Sequence, residues 1–181
     1  MKIVLFLFLF IPVVGLAQVK KGNTYISGIL HDFKNPGASF VTSFNLGANI
    51  GFGAGVDISS YNKSIIAPAY LDLRIKQKIQ SLTPFIVGQF GYPIYNRTEG
   101  TGVYTTDING GNRRELMNKV SGLMTYSGGI GLSYDFGKIG IFASALLRSY
   151  RFKNNIDLPG GSSNSSNSSK SIGVINLGIV F

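Results

Sequence analysis

Asp57, Asp72, Arg74 and Arg148 are isolated charges set in stretches of glycine, serine, asparagine and apolar residues. Enclosed together, they would have to pair, because a buried charge costs several kcal/mol unless an opposite charge and hydrogen bonds compensate it. Gln89 and Asn176 are the candidate hydrogen-bond partners. The same charges could instead line a path for protons or ions. His31 beside Asp32 offers a second chemistry: a serine nucleophile needs a base within hydrogen-bond reach and a third group to orient it. Ser27, Ser39 and Ser43 are the available serines, without a recognisable triad spacing. Gly51-Phe52-Gly53-Ala54-Gly55 has the glycines of a phosphate loop but no following helix, and its third glycine is misplaced. Asp107-Ile108-Asn109-Gly110 begins like a calcium loop, yet position twelve is Asn118 instead of Glu, and a hairpin tip at Asn109-Gly110-Gly111 fits better. With no cysteine and one histidine, thiolate and multi-histidine metal sites are excluded. No cofactor, metal or catalytic residue is expected.

The elements that hold these residues alternate. In Phe40 to Ile50 the even positions are mainly apolar and the odd ones small or polar, and the pattern recurs as Ala54/Val56/Ile58 against Asp57/Ser59. It recurs again as Leu71/Leu73/Ile75 against Asp72/Arg74, as Ile130/Leu132/Tyr134 against Gly131/Ser133, and as Ile175/Leu177/Ile179/Phe181 against Asn176/Gly178. Period two repeated this often predicts an antiparallel β protein. Eight strands are expected, at about Asn23 to Asp32, Phe40 to Ile50, Gly53 to Tyr61, Ile65 to Gln77, Leu82 to Tyr95, Ser121 to Asp135, Ile139 to Phe152 and Ser171 to Phe181.

Alternation does not say which face is buried; the composition does. Charged residues make up 14% of the 181, where a soluble domain carries about 25%. The face opposite the apolar one is glycine, serine and asparagine, which suits a tight interior and not a solvated exterior. The reading is therefore an all-β, eight-stranded antiparallel up-and-down transmembrane β-barrel, apolar outside, with Phe52, Tyr134, Phe136 and Phe181 near strand ends as an aromatic border. An open sheet edge in hydrocarbon would strand N–H and C=O groups, so the sheet must close. Connection parity agrees: the long fifth and seventh connections, 96–120 and 153–170, fall on one side, and the turns near 78–81 and 136–138 on the other. The Ser-Ser-Asn tract from Gly160 to Ser169 reads as a low-complexity mobile loop. Residues 1–17 have the basic start, apolar run and small-residue end of a cleavable signal peptide, with cleavage after Ala17, leaving residues 18–181 as the barrel domain.

From Lys21-Gly22-Asn23, through Pro68 to Arg74, Thr83-Pro84-Phe85 and Gly91-Tyr92, to Asn176-Leu177-Gly178-Ile179-Val180-Phe181, the chain resembles the small porin-like outer-membrane β-barrel domain proteins of Gram-negative bacteria. The resemblance implies residence in the outer membrane and a terminal strand, ending in Phe181, read by the barrel-assembly machinery. It brings no catalytic residues. Of the formal charge of +9, a net 9 − 5 = +4 falls at the outer rim, where Lys34, Lys63, Arg97, Arg113, Arg114, Lys119, Arg151, Lys153 and Lys170 outnumber Asp32, Glu99, Asp107, Glu115 and Asp157 and would face lipopolysaccharide phosphates; nucleic acid is not expected. The leading expectation is a structural or surface-interaction role in binding or adhesion, with an extracellular protein partner possible. The fifth connection could extend its flanking strands above the bilayer and offer an exposed edge. The alternatives are a narrow porin for small solutes and a lipid-modifying enzyme built on His31.

Overall fold

A computed structural model describes residues 22–61, 64–106, 113–157 and 163–181. The signal segment 1–17 and the hairpin tip at Asn109-Gly110-Gly111 lie outside the described residues. Nine strands run β1 Gly22–His31, β2 Asn35–Asn45, β3 Ile50–Tyr61, β4 Ser64–Lys76, β5 Leu82–Ile94, β6 Asn96–Thr106, β7 Arg113–Asp135, β8 Gly140–Asp157 and β9 Ser163–Val180. Each pairs antiparallel with its neighbour along the chain, except that β5 pairs with both β4 and β7. β1 pairs with β9. The ring β1-β2-β3-β4-β5-β7-β8-β9 therefore closes as an eight-stranded antiparallel up-and-down barrel, as the alternation predicts, and β6 stands outside it.

Closure sorts the side chains as parity requires. Leu71, Leu73 and Ile75 are exposed outside while Tyr70, Asp72 and Arg74 are buried inside; on β3, Val56 and Ile58 face out against Asp57 and Ser59. From Ile75 up to Ile65 the outward side of β4 is apolar over ten residues, a band about 25 Å tall for a strand rising ~3.3 Å per residue at a tilt near 40°. Exposed Tyr134, Phe136 and Phe181 border it at the end of short turns, and Phe33, Tyr92 and Tyr126 lie toward the other end. The outward column of β8 changes abruptly, from Ile141, Ala143, Ala145 and Leu147 to Ser149, Arg151 and Lys153.

The long connections are not loops. β6 continues β5 past Tyr95 and pairs with the upper part of β7, from Asn96↔Ser121 to Thr106↔Arg113. The serine-asparagine tract is strand as well, since Ser163 to Ser169 extend β9 and pair with Asp157 to Arg151 of β8. At 96–120 the flanking strands extend upward, as the second expectation for the fifth connection has it, and the expectation of a loop at 153–170 is corrected: a ladder already established in the ring propagates upward, and main-chain bonding to β8 overrides the weak strand preference of serine and asparagine. Together β6, upper β7, upper β8 and upper β9 form a four-stranded blade rising from one side of the ring.

The joint between ring and blade is a bulge. The β7–β8 register shifts between Gly122 and Met124, and the Gly122 amide donates to the Tyr95 carbonyl at 2.9 Å. A β-carbon at Gly122 would run into the Pro93 carbonyl, so glycine is what permits this approach. A second boundary differs from expectation: β2 covers Asn35–Asn45, not 40–50, because Gly47 takes a left-handed φ of 91° and turns the chain early.

Candidate functional site

Five of the six polar residues expected inside meet in the middle of the lumen. Arg148 of β8 donates from Nη1 to Asp57 Oδ2 of β3 at 2.5 Å and from Nη2 to Gln89 Oε1 of β5 at 2.8 Å. Gln89 donates in turn from Nε2 to Asp72 Oδ2 at 2.9 Å, and Arg74 Nε donates to Asp72 Oδ1 at 2.7 Å. Asp57, Arg148, Gln89, Asp72 and Arg74 therefore make one continuous chain of bonds across the barrel, with two carboxylates against two guanidinium groups. The sixth, Asn176, stands apart from it and donates to Ser144 Oγ at 2.9 Å. Arg148 and Asp57 are each 1% exposed and Asp72 0%, so compensation is obligatory. Tyr70 completes it, donating to Asp57 Oδ1 at 2.6 Å.

The lumen also contains an apolar part that the glycine-serine composition conceals. Toward the end of short turns, the Arg74 guanidinium lies 3.6 Å above the Tyr25 ring centroid and within 6 Å of those of Phe85 and Phe142, a cation–π arrangement that helps to hold a desolvated charge. A β-carbon on Gly131 would collide with the Phe85 ring, which explains why a residue without a side chain stands on β7 there. Toward the blade, Tyr61, Tyr95, Tyr150 and Phe152 pack ring on ring, with centroids 5.3 to 6.1 Å apart. The signal for these was parity: Tyr70 shares a face with Asp72, Phe85 with Gln89, and Tyr150 with Arg148.

His31 belongs to the same interior. Its Nε2 faces Arg148 Nη1 at 3.2 Å, and its Nδ1 contacts Ser59 Oγ. Facing a guanidinium donor, Nε2 must accept, which puts the imidazole proton on Nδ1 and makes the Ser59 hydroxyl its acceptor. That is the reverse of a base activating a serine. The serines weighed from sequence are engaged or distant: Ser39 bonds the Tyr70 hydroxyl and Ser43 donates to the Asn23 carbonyl. Asp32 is exposed in the β1–β2 turn with a φ of 52°. Gly51 to Gly55 lie within β3 and form no loop.

Two cavities flank the network. The one at the end of short turns holds about 320 Å3 and has Lys76, Lys78, Lys138 and Asp135 in its walls. The one at the blade end holds about 310 Å3. Between them Arg148, His31, Tyr150 and Asp72 fill the section. Among the described residues no group of acidic, histidine or cysteine side chains could hold a metal ion.

Neither a family model nor a curated protein matches the sequence. Among solved structures, the chain is similar to the N-terminal β-barrel domain of Pseudomonas aeruginosa OprF at 15% identity and a TM-score of 0.48, over 88% of this chain and 96% of that one. It is similar to Neisserial surface protein A at 9% identity and a TM-score of 0.48, over 88% and 92%.

Proposed function

We propose that the chain is an outer-membrane barrel that anchors a polar, strand-built blade at the cell surface, where the blade's open edges receive an extended segment of a partner protein. One observation carries this reading. On the side away from β8, Ser163 to Ile172 of β9 have no strand partner among the described residues, because β1 reaches only as far as Val174. β6 likewise pairs only with β7. An unpaired row of N–H and C=O groups is a template for strand addition, and here it is held rigidly by a closed ring.

The membrane placement rests on the ring itself. Its outer face carries Ile58, Leu71, Ile86, Ile130, Leu147 and Leu177, each more than half exposed, on six of the eight strands. Such a face has no stable solution in water and matches the apolar belt of a barrel in lipid. Export through residues 1–17, recognition of Phe181 by the assembly machinery, and contact of Lys119, Arg151 and Lys153 with lipopolysaccharide phosphates accompany this proposal. The packed mid-section favours the surface role over a porin. The geometry at His31 supports a non-enzymatic role.

The test has two arms. A cysteine at Ser165 is expected to react with an impermeant maleimide on intact cells, and a cysteine at Lys78 is not; the opposite pattern overturns the orientation. Peptides selected by display against the detergent-solubilised barrel are expected to lose binding to a variant with proline at Ser165 and Asn167. Equal binding to that variant removes the edge from the reading.

A further inference from the structure

The inner face of the blade and the mouth of the ring enclose a second site, distinct from the edges. Its floor is the aromatic layer of Tyr61, Tyr95 and Phe152. Its walls are Glu99 of β6, Asn118 of β7, Asn154 of β8, and Ser168, Ser169 and Lys170 of β9. The register brings five of the six, all but Ser169, to the same inward side: Glu99 lies opposite Asn118, Phe152 and Tyr150 lie opposite Ser168 and Lys170, and Asn154 shares the face of Phe152.

The donor and acceptor inventory of this basin is mixed. Asn118 Oδ1 is buried and accepts no hydrogen bond from any described residue, an uncommon condition for a native polar atom. Asn154 spends one amide proton on Ser168 Oγ at 3.0 Å and keeps its carbonyl. Glu99 accepts from Arg97 Nε at 2.6 Å through one oxygen. Lys170 Nζ sits 5.6 Å above the Tyr61 ring. An apolar ligand would leave these amides and the carboxylate unanswered. A compact anion would meet Glu99 and the Asn118 carbonyl. An extended peptide satisfies its main chain at a sheet edge, not against a sheet face.

We infer that this basin binds a saccharide. Sugar hydroxyls both donate and accept, as amides, a carboxylate, serine hydroxyls and an ammonium require, while the C–H face of a pyranose is apolar enough to lie on tyrosine and phenylalanine. A hydroxyl is the neutral donor that Asn118 Oδ1 lacks, and because that oxygen is closed to solvent as it stands, the Asn118 side chain must rotate to meet it. The volume of about 310 Å3 stands at the small end of ligand pockets and suits about one or two sugar rings. The inference does not rest on the edge reading, because it uses side chains of the sheet's face and not the main chain of its rim.

The experiment is an NMR titration of the full chain in detergent micelles with three probes: maltotriose, chitotriose, and the core oligosaccharide released from lipopolysaccharide. Saturable shifts at the Asn118 and Asn154 side-chain amides are expected with at least one, at an affinity of about millimolar. A response to the core oligosaccharide alone assigns the site to the protein's own leaflet, and a response to a free trisaccharide assigns it to an external glycan. Asn118→Leu is expected to weaken binding about tenfold, the order of loss when a bound hydroxyl forfeits a buried acceptor. Asn154→Leu gives a second reading should the first variant fail to fold. The prolines at Ser165 and Asn167 are expected to leave saccharide binding intact, which separates this site's failure from the edge's. Absence of saturable shifts with all three probes, or binding unchanged in both leucine variants, overturns the inference.

Discussion

The ring and the blade are made of the same strands, yet they obey different chemistry. β7, β8 and β9 pass from one to the other without leaving their ladders. Inside the ring they alternate between lipid-facing leucine and isoleucine and a lumen of paired charges; above it the outward column of β8 becomes polar and the strict alternation ends. Main-chain pairing alone thus sets the secondary structure, and the surroundings of each level set the side chains. The ring, with no edge, keeps its charges only because each is matched inside the lumen, Arg148 with Asp57 across it and Arg74 with Asp72 along β4. The blade, with two edges, keeps its charges in water, where a pair such as Arg97 with Glu99 is screened and contributes little.

This contrast orders the mutational effects. Arg148→Met would strand Asp57 in the lumen, and the expected loss is about 3–5 kcal/mol, the range for a buried pair deprived of one partner. Urea unfolding in lipid vesicles measures it, and adding Asp57→Asn should recover most of the loss; a single variant as stable as the parent would show that the pairing does not hold the ring. Gly122→Val strikes the joint. Crowding the Pro93 carbonyl is expected to cost about 1–3 kcal/mol, as overpacking commonly does, and the same unfolding curves report it.

Lys78→Met breaks the ion pair with Asp135, whose partners are 66% and 36% exposed. Water already screens that pair, so a change of no more than about 1 kcal/mol is expected; a loss comparable to that of Arg148→Met would erase the distinction between interior and surface charges. The smallest effect is expected from excising residues 99–118 and joining the flanks through a short turn. β5 pairs with β7 from Thr125 to Tyr134 without help from β6, so the trimmed chain should still migrate as a folded species before boiling and shift after it. Loss of that heat-dependent shift would mean that the blade contributes to closure.

How far the sequence could be read follows the same division. In the ring, two-residue periodicity exposes Leu71 against Asp72 and Ile58 against Asp57, because lipid on one side and a narrow lumen on the other impose opposite demands on neighbouring positions. Five of the six residues nominated for the interior are found in a single network, while Asn176 turns to Ser144. Parity fixes a face but not a height along the strand, and height decides which charges meet. His31 illustrates the point: its face was readable, but its contact with Ser59 of β3 depends on where β1 stops. The blade was legible at β6 and β7, as an extension of the strands beside the fifth connection, but not at β9. Ser163 to Ser169 have water on both sides, so nothing selects alternation, and only the β8 ladder beside them reveals the strand.

The pairing of Tyr25 to His31 with Val174 to Val180 joins the two most distant portions of the ring's chain. Until that seam forms, both terminal strands carry bare main-chain groups that hydrocarbon cannot solvate, and no hairpin made earlier relieves them. A bilayer can hold the ring without bare margins only once this seam is made. The molecule needs a shelter for its two raw margins during the whole interval in which the rest is already built.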